Sequence, residues 1–368
     1  MRAQNGRLIA LVAAVAVAAI AGGGALAYRQ GPPASADGSA APLSTSPSQT
    51  ASRPTTPGPV RTKVDLKKLT GGRAPQVTYL SGRTIRGGAG EDVMVPGTTD
   101  IQEVARVGNS ALAVVTKGYG TEMLTLDSAG NVIRRTPDVT QIVTTDDDRA
   151  AAYVATRLKD TGEELPDVTV YAEDGEVRQV QKVTVKGIWN AMPLAYLDGK
   201  VYFAASRTQA GESVLYEWTP GEAKPVQLKA IPQPLAVSSA GTAGSLTALN
   251  DQSSCSSLLT VPSGKRLWRT CDYLITGFTP DAATVIAGPK YQDGYGDGIA
   301  GALDAKTGKL LHEWTGVFRQ TVPEDDQHLL LLADDGDQTP ASIIRCTITT
   351  GACELATPLA KGQLLIGA

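Results

Sequence analysis

Short apolar runs separated by turn residues occupy the chain from about residue 76 to its end. The clearest example runs from Ile299 to Trp314, where apolar residues lie on both sides of Asp304 and Gly308. The Asp304 side chain can accept hydrogen bonds from amides of the turn, and Gly308 supplies the positive φ that closing the turn requires. The pattern therefore predicts two antiparallel strands joined by a tight turn.

The same hairpin pattern recurs along the chain at steps of 40 to 46 residues. Such turns occur singly in every antiparallel protein, but near-constant spacing indicates a repeat architecture. The turn glycines of the series, the first being a weaker copy, are Gly90, Gly130, Gly175, Gly221, Gly264, Gly308 and Gly351.

A second series of turns runs in phase with the first and precedes strongly apolar strands. Its members lie at residues 146–149, 197–200, 279–282 and 324–327. Each repeat then contains four antiparallel strands in about 43 residues. Because the acidic residues Asp146 to Asp148 fall at the same point of the repeat as the other turns, we interpret them as turn residues rather than metal ligands.

Four-stranded repeats of this length predict an all-β protein, a seven-bladed β-propeller of antiparallel blades. Residues 76–96 supply only part of the first blade, and Gly362 to Gly367 form one spare apolar strand at the end of the chain. Pairing that strand with the first blade would close the ring and remove free edges. Six blades are the alternative if the first hairpin is only an addition to the ring.

Particular segments resemble known propeller families. Residues 278–288 (FTPDAATVIAG) are similar to the repeat turn of periplasmic TolB-like proteins, which belong with WD-repeat proteins to the same broad superfamily. Residues 302–314 (ALDAKTGKLLHEW) resemble the repeat of quinoprotein propellers, and we interpret this single copy as structural. The whole chain, with its entry segment at 64–79, resembles uncharacterised membrane-anchored propeller proteins of actinobacteria. The resemblance covers residues 64–368 and implies a fold rather than an activity.

The amino terminus predicts export from the cytoplasm. Arg2 and Arg7 precede an uncharged apolar run from Leu8 to Tyr28, which is long enough to cross a bilayer as a helix. We expect residues 1–28 to be a signal anchor that makes the protein single-pass, with the propeller on the extracytoplasmic side. The alternative is a cleaved signal peptide, because Ala25 to Ala27 also fit a cleavage site and would give a secreted protein.

Residues 29–70 are rich in proline, serine and threonine, and we expect a disordered linker there. The propeller domain is then expected at residues 71–368. All four cysteines lie late in the chain, and each pair flanks one hairpin turn. Residues opposite each other across a hairpin are close enough for a disulfide, and an exported protein meets an oxidising compartment. We therefore predict the disulfides Cys255–Cys271 and Cys346–Cys353.

The sequence does not contain a familiar catalytic constellation. The two histidines, His312 and His328, are predicted in different repeats, and neither accompanies a nucleophile motif. A formal net charge of −3 gives no general attraction for nucleic acid. No cofactor is predicted, although calcium is possible because acidic loops offer oxygen ligands without the complete EF-hand pattern.

The loops between the second and third strands of each repeat are long and differ from one another. Loops on a rigid scaffold are where binding usually occurs, so we expect a ligand there. The candidate binding residues are Tyr291, Asp293, Tyr295, Asp297, Asp334, Asp335 and Asp337.

We expect a non-enzymatic, membrane-tethered scaffold that binds a protein or a cell-envelope polymer. The alternative is an enzyme that processes envelope carbohydrate or a small molecule in the central funnel. Carboxylates with raised pKa values converging on the axis would favour that alternative.

Overall fold

The computed structural model describes residues 60–176, 179–250, 253–291, 296–336 and 339–368. These residues form β-strands and one short 3₁₀ helix, η1 (Leu66–Lys68). The strands in chain order are β1 (Val60–Lys63), β2 (Tyr79–Ser81), β3 (Thr84–Arg86), β4 (Val93–Met94), β5 (Ile101–Val107), β6 (Ser110–Lys117), β7 (Gly120–Leu126), β8 (Val132–Pro137), β9 (Val139–Thr144), β10 (Ala150–Leu158), β11 (Glu164–Asp174), β12 (Gln179–Lys186), β13 (Trp189–Leu197), β14 (Lys200–Ser206), β15 (Ser213–Trp218), β16 (Val226–Pro232), β17 (Pro234–Val237), β18 (Thr242–Asn250), β19 (Ser253–Thr260), β20 (Arg266–Thr270), β21 (Tyr273–Phe278), β22 (Thr284–Pro289), β23 (Asp297–Asp304), β24 (Leu310–Pro323), β25 (His328–Asp334), β26 (Ser342–Thr347), β27 (Cys353–Leu355) and β28 (Leu364–Ile366).

The strands pair into five four-stranded antiparallel sheets and one larger sheet. The four-stranded sheets are β5 to β8, β9 to β12, β13 to β16, β17 to β20, and β28 with β2 to β4. The eight-stranded sheet runs from β21 to β27, with β1 added beside β24. The 14-residue strand β24 pairs with β23 along its first half and with β25 along its second. The architecture is all-β and consistent with a β-propeller.

The carboxyl-terminal strand completes the first sheet of the chain, as the sequence predicts. In β28, Leu364, Leu365 and Ile366 pair antiparallel with β2. The first strand of each repeat also contacts the first strand of the next, and these contacts form a closed cycle. The strands of this cycle are β5, β9, β13, β17, β21, β24 and β28. The chain end is therefore used to pair an otherwise open edge.

The hairpin around Gly308 has the turn chemistry that the sequence predicts. Gly308 has φ +69°, and the Asp304 carboxylate accepts a hydrogen bond of 2.8 Å from the Thr307 amide. Trp314 is fully buried and donates from its indole nitrogen to the Gly351 carbonyl at 3.1 Å. These residues have structural roles in the hairpin and its core.

The predicted linker boundary is wrong at its carboxyl-terminal end. Residues 60–63 form β1, which pairs in parallel with β24, and Leu66 is buried in the core beside Trp314. The polar composition of this segment gives little sign of a strand, although Val64 and Leu69 pack against the same core as Leu66. The remainder of the linker and the predicted helix at 1–28 lie outside the described residues. Among the residues that the structure does describe, no helix has the length and apolar character needed to span a bilayer.

Both predicted disulfides are present. Cys346 and Cys353 are register partners of β26 and β27, with Cα atoms 4.2 Å apart. Cys255 and Cys271 bridge β19 to the end of β20, with Cα atoms 4.0 Å apart. Each disulfide therefore closes one outer hairpin.

Removing the Cys346–Cys353 disulfide is expected to lower the free energy of unfolding by about 2 kcal/mol. The bond closes a short loop, so its effect on the entropy of the unfolded chain lies at the low end of the usual range. Denaturant unfolding of the Cys346→Ala/Cys353→Ala double variant measures the loss. An unfolding midpoint equal to that of the parent protein would contradict the expectation.

Candidate functional site

A cavity of about 670 Å³ lies where the first strands of the sheets meet. Its wall receives residues from β5, β9, β13, β17, β21, β24 and β28. It also includes residues of the turns that connect first strands to second strands, such as Asp148, Ser239 and Pro280. The volume falls within the usual range of small-molecule sites.

Hydrogen bonds between neighbouring sheets fix the turns at one end of this cavity. The Gly108 amide donates to the Asp148 carbonyl at 2.7 Å, and the Asp281 amide donates to the Asp326 carboxylate at 2.8 Å. The Ser239 hydroxyl donates to the Pro280 carbonyl at 2.9 Å. Because each bond joins adjacent repeats, the mouth is held by the fold itself rather than by a free loop.

The wall of the cavity carries acidic residues on one side. Glu103 comes from β5, Asp146 and Asp148 from the turn after β9, and Glu324 from the turn after β24. No lysine, arginine or histidine contributes to this wall within the described part of the chain. The site is therefore anionic in character before any pairing is considered.

Glu103 has the most perturbed environment of these acids. Its Oε2 atom accepts a hydrogen bond of 3.0 Å from the Ile142 amide. Burial nevertheless raises the pKa of Glu103 to about 8, because the amide only partly offsets the loss of water around the charge. At neutral pH, Glu103 therefore holds a proton in most molecules.

The two aspartates of the turn after β9 are also shifted. Burial raises the pKa of Asp148 to about 6, opposed by a hydrogen bond from Thr144 and by the nearby charge of Arg106. Burial also raises the pKa of Asp146, and the neighbouring charges of Asp147 and Asp326 act in the same direction. Asp148 has φ 54°, so it occupies the left-handed position of the turn. The residues are turn residues, as predicted, but two of them also face the cavity.

Glu324 differs from the other acids because arginines neutralise it. The Arg345 guanidinium donates to both of its oxygens, at 2.6 Å for Oε1, and Arg73 lies 3.7 Å from Oε2. The Gln76 amide also donates to Oε1 at 2.8 Å. Glu324 therefore joins the entry segment to the wall of the cavity and adds little net charge there.

The opposite side of the cavity is apolar. Met192, Leu194 and Leu197 come from β13, Leu235 from β17, and Phe278 from β21. These strands follow one another around the ring, so the acids are confined to the other side of the wall, which apolar residues such as Ile142 and Ile366 also line.

Of the candidate residues predicted from sequence, the four that the structure describes do not line this cavity. Tyr291 is exposed in the connection between β22 and β23, and Asp297 begins β23. Asp334 forms an ion pair of 2.9 Å with Arg319, and Asp335 lies 3.7 Å from Lys67. Both aspartates line a separate cavity of about 160 Å³. Asp293, Tyr295 and Asp337 lie outside the described residues.

The structure separates these loops from the central cavity for a topological reason. Strands in an antiparallel sheet reverse direction, so the connections after second strands lie at the opposite end from the connections after first strands. Tyr291 and Asp335 lie in connections after second strands, whereas Asp146, Asp148 and Pro280 lie in turns after first strands. The sequence signal for the cavity is a single acid in a first strand, namely Glu103 between Ile101 and Val104. This signal can be interpreted only when the innermost strand of the repeat is known.

The two histidines lie away from the central cavity. His312 is fully buried, with Nε2 at 2.9 Å from the Thr62 hydroxyl, and burial lowers its pKa. The Nδ1 atom of His328 lies 2.9 Å from the Asp325 carboxylate. Glu324, Asp325 and His328 form the one metal-like group among the described residues. Since Glu324 is already bound by Arg345, we assign no metal to it.

Comparisons with known proteins support the fold. No protein-family model matches the chain, and no curated protein matches its sequence. An uncharacterised protein of Listeria monocytogenes superposes with a TM-score of 0.51 and 11% identity, covering 75% of this chain and 91% of that one. At such low identity, the likeness concerns the fold alone.

Two further solved structures have lower similarity. TolB of Acinetobacter baumannii has a TM-score of 0.45 and 14% identity, covering 73% of this chain and 66% of its own. The β-propeller domain of the Trilobed protease of Pyrococcus furiosus has a TM-score of 0.48 and 10% identity, covering 72% and 86%.

Proposed function

We propose that the chain is an extracytoplasmic, membrane-tethered, seven-bladed binding module whose ligand occupies the central cavity. The observation that carries this proposal is the cavity of about 670 Å³ lined by all of the first strands. A concave site with apolar and convergent polar residues, built on a rigid scaffold, is the usual form of a ligand site. The ligand is a protein segment or a component of the cell envelope.

The compartment in this proposal is supported by the cysteines. All four form disulfides, and no free cysteine is found in the chain. Structural disulfides of this kind form in oxidising compartments. The cationic and apolar residues at positions 2–28 supply the tether in this proposal.

The count of seven is supported by two observations. The first strands form a closed cycle of seven members, and β24 serves as the fourth strand of one repeat and the first strand of the next. The pairing of β28 with β2 completes the remaining repeat.

A second candidate function is an enzyme with its site in the same cavity. The observation that favours it is the raised pKa of Glu103, about 8, and of Asp148, about 6. Carboxyl groups with different pKa values near neutrality are suited to act as general acid and general base. We rank this candidate second because the described residues of the cavity include no nucleophile activated by a histidine.

Filling the cavity tests the binding function. In the variant Met192→Trp, a larger side chain enters the cavity wall, and we expect capture of the partner by extracellular crosslinking to fall at least tenfold. The matched control is Met94→Trp, because Met94 is 68% exposed on an outer strand. Both variants should keep the melting temperature of the parent protein within a few degrees.

Two outcomes would contradict the proposal. Capture that is insensitive to Met192→Trp in a folded protein would move the binding site elsewhere. Turnover of an envelope saccharide by the pure protein, abolished in Glu103→Gln, would instead establish the enzyme.

A further inference from the structure

The wall of the central cavity has two chemically distinct parts. Acids lie on the side formed by β5, the turn after β9 and the turn after β24, where apolar residues such as Ile142 and Ile366 also line the wall. The side formed by β13, β17 and β21 contributes no charged residue and includes several apolar ones. A ligand that matches both parts carries positive charge beside an apolar surface. No basic residue of the described chain lines the cavity to supply that charge from within.

We propose that the central cavity binds an organic cation, an ammonium or guanidinium group joined to an apolar body. This inference rests on the proposed function, because it uses the same cavity. The cationic group would face Glu103, and the apolar body would contact the side that includes Met192 and Phe278.

Glu103 and Asp146 are the acids that lack an internal cation. Arg345 neutralises Glu324, and the charge of Arg106 lies near Asp148. By contrast, the groups that act on Asp146 are the like charges Asp147 and Asp326. No charge of a described side chain acts on Glu103, so the counter-charge at Glu103 would come from the ligand.

Glu103 keeps one oxygen available for such a ligand. Its Oε2 atom accepts from the Ile142 amide, and Oε1 has no hydrogen-bond partner among the described residues. A carboxylate that already accepts one backbone hydrogen bond is oriented, and its second oxygen can accept an N–H of the cation. Glu103 is therefore expected to set the position of the charged group.

The protonation of Glu103 gives this binding a distinct pH dependence. Burial and the Ile142 amide are the two influences on its pKa, and no charged group of the adjoining strands β6, β9 or β28 shifts it. The other acids of the wall are Asp146, Asp148 and Glu324, and Lys117 at the end of β6 pairs with Glu122 instead. With a pKa of about 8, Glu103 must release its proton when a cation binds.

The sign of the effect follows from that proton. Below pH 8 the cation competes with a bound proton, so its affinity falls as pH falls, by roughly 50-fold between about pH 8 and about pH 6. A neutral ligand of the same shape has no such dependence, because it does not require the charged form of Glu103.

The test is calorimetric titration of the full chain with two matched probes, 4-phenylbutylammonium and the neutral 4-phenylbutanol. We expect the ammonium to bind at least tenfold more tightly at about pH 8, and the advantage to shrink at about pH 6. Titration in two buffers of different ionisation enthalpy should show proton release with the ammonium only. Acetyl-Leu-Lys-Leu-amide, compared with its Lys→Gln counterpart, shows whether a peptide or a free amine is the better source of the cation.

Two variants assign the effect to Glu103. Glu103→Gln should reduce the affinity for the ammonium to that for the alcohol, whereas Glu163→Gln on an exposed loop should change neither. Equal affinity for the two probes, or a preference that survives Glu103→Gln, would overturn the inference.

If Met192→Trp abolishes partner capture while no cation binds, the cavity is the binding site and the ligand class is wrong. If the cation binds but capture ignores Met192→Trp, the proposed function is the part that fails.

Discussion

The variant Arg345→Ala is expected to lower the free energy of unfolding by about 3 to 5 kcal/mol, the usual cost of breaking a buried ion pair by removing one partner. The side chains of Arg345 and Glu324 are only 4% and 0% exposed. Removing the guanidinium would leave the Glu324 carboxylate buried with one distant cation, Arg73, at 3.7 Å. Denaturant unfolding measures the loss.

All five N–H groups of Arg345 have acceptors, which is why we expect a large effect. Besides Glu324, they reach Glu354 at 2.6 Å, the Arg73 carbonyl at 3.0 Å and the Ala74 carbonyl at 2.9 Å. The last two belong to the segment that leads into β2. The Arg345 side chain therefore holds the entry segment against the sheet that contains β26.

Two comparisons make this expectation specific. Arg149→Ala removes an arginine that is 69% exposed, and it should cost less than about 1 kcal/mol. The double variant Arg345→Met/Glu324→Met should recover part of the loss, because it removes the unpaired charge as well as its partner. If Arg345→Ala costs no more than Arg149→Ala, the network does not hold the entry segment.

The elements that sequence predicted well are those determined by local chemistry. Asp304 and Gly308 define a turn within a few residues, and the cysteines lie opposite each other across single hairpins. Repetition of such turns at constant spacing then implies the architecture. Even the pairing of β28 with β2 followed from counting strands in that repeat.

The site was harder to predict because it depends on which residues of distant repeats share the axis. Glu103 and Ile142 are 39 positions apart, and their contact exists only when adjacent first strands converge. From sequence alone, variable loops such as the one around Tyr291 are predicted to bind a ligand because of their length and composition. The cavity instead uses short turns and strands whose residues look ordinary when considered singly.

The start of the folded unit was misjudged for a related reason. Residues 60–70 resemble a polar linker when considered alone, and their strand forms only by pairing with β24. Arg61 then lies 3.2 Å from Glu313, and Val64 and Leu69 pack on the core. Non-local pairing of this kind has no local signal.

The variant Glu103→Gln is expected to remove a large part of the pH dependence of stability. A carboxyl group whose pKa is raised from 4.5 to about 8 binds its proton more tightly in the folded than in the unfolded chain. Its contribution to stability is therefore complete below about pH 4.5 and is lost as pH rises through about 8. The shift corresponds to at most ~5 kcal/mol, and because water in the cavity moderates the penalty, we expect about 3 kcal/mol.

Glutamine has nearly the same shape as protonated glutamate and can still accept from the Ile142 amide, so it should not carry this loss. We expect the variant to match the parent protein near pH 4.5 and to exceed it in unfolding free energy by about 3 kcal/mol above pH 8. Taking the difference between the two proteins at each pH cancels the contribution of Asp148, which shifts in the same direction. Glu163→Gln, on the exposed loop, should follow the parent protein at every pH.

Parallel curves of unfolding free energy against pH for the parent protein and Glu103→Gln would show that Glu103 is charged in the folded chain. The proton release predicted for cation binding would then be absent as well.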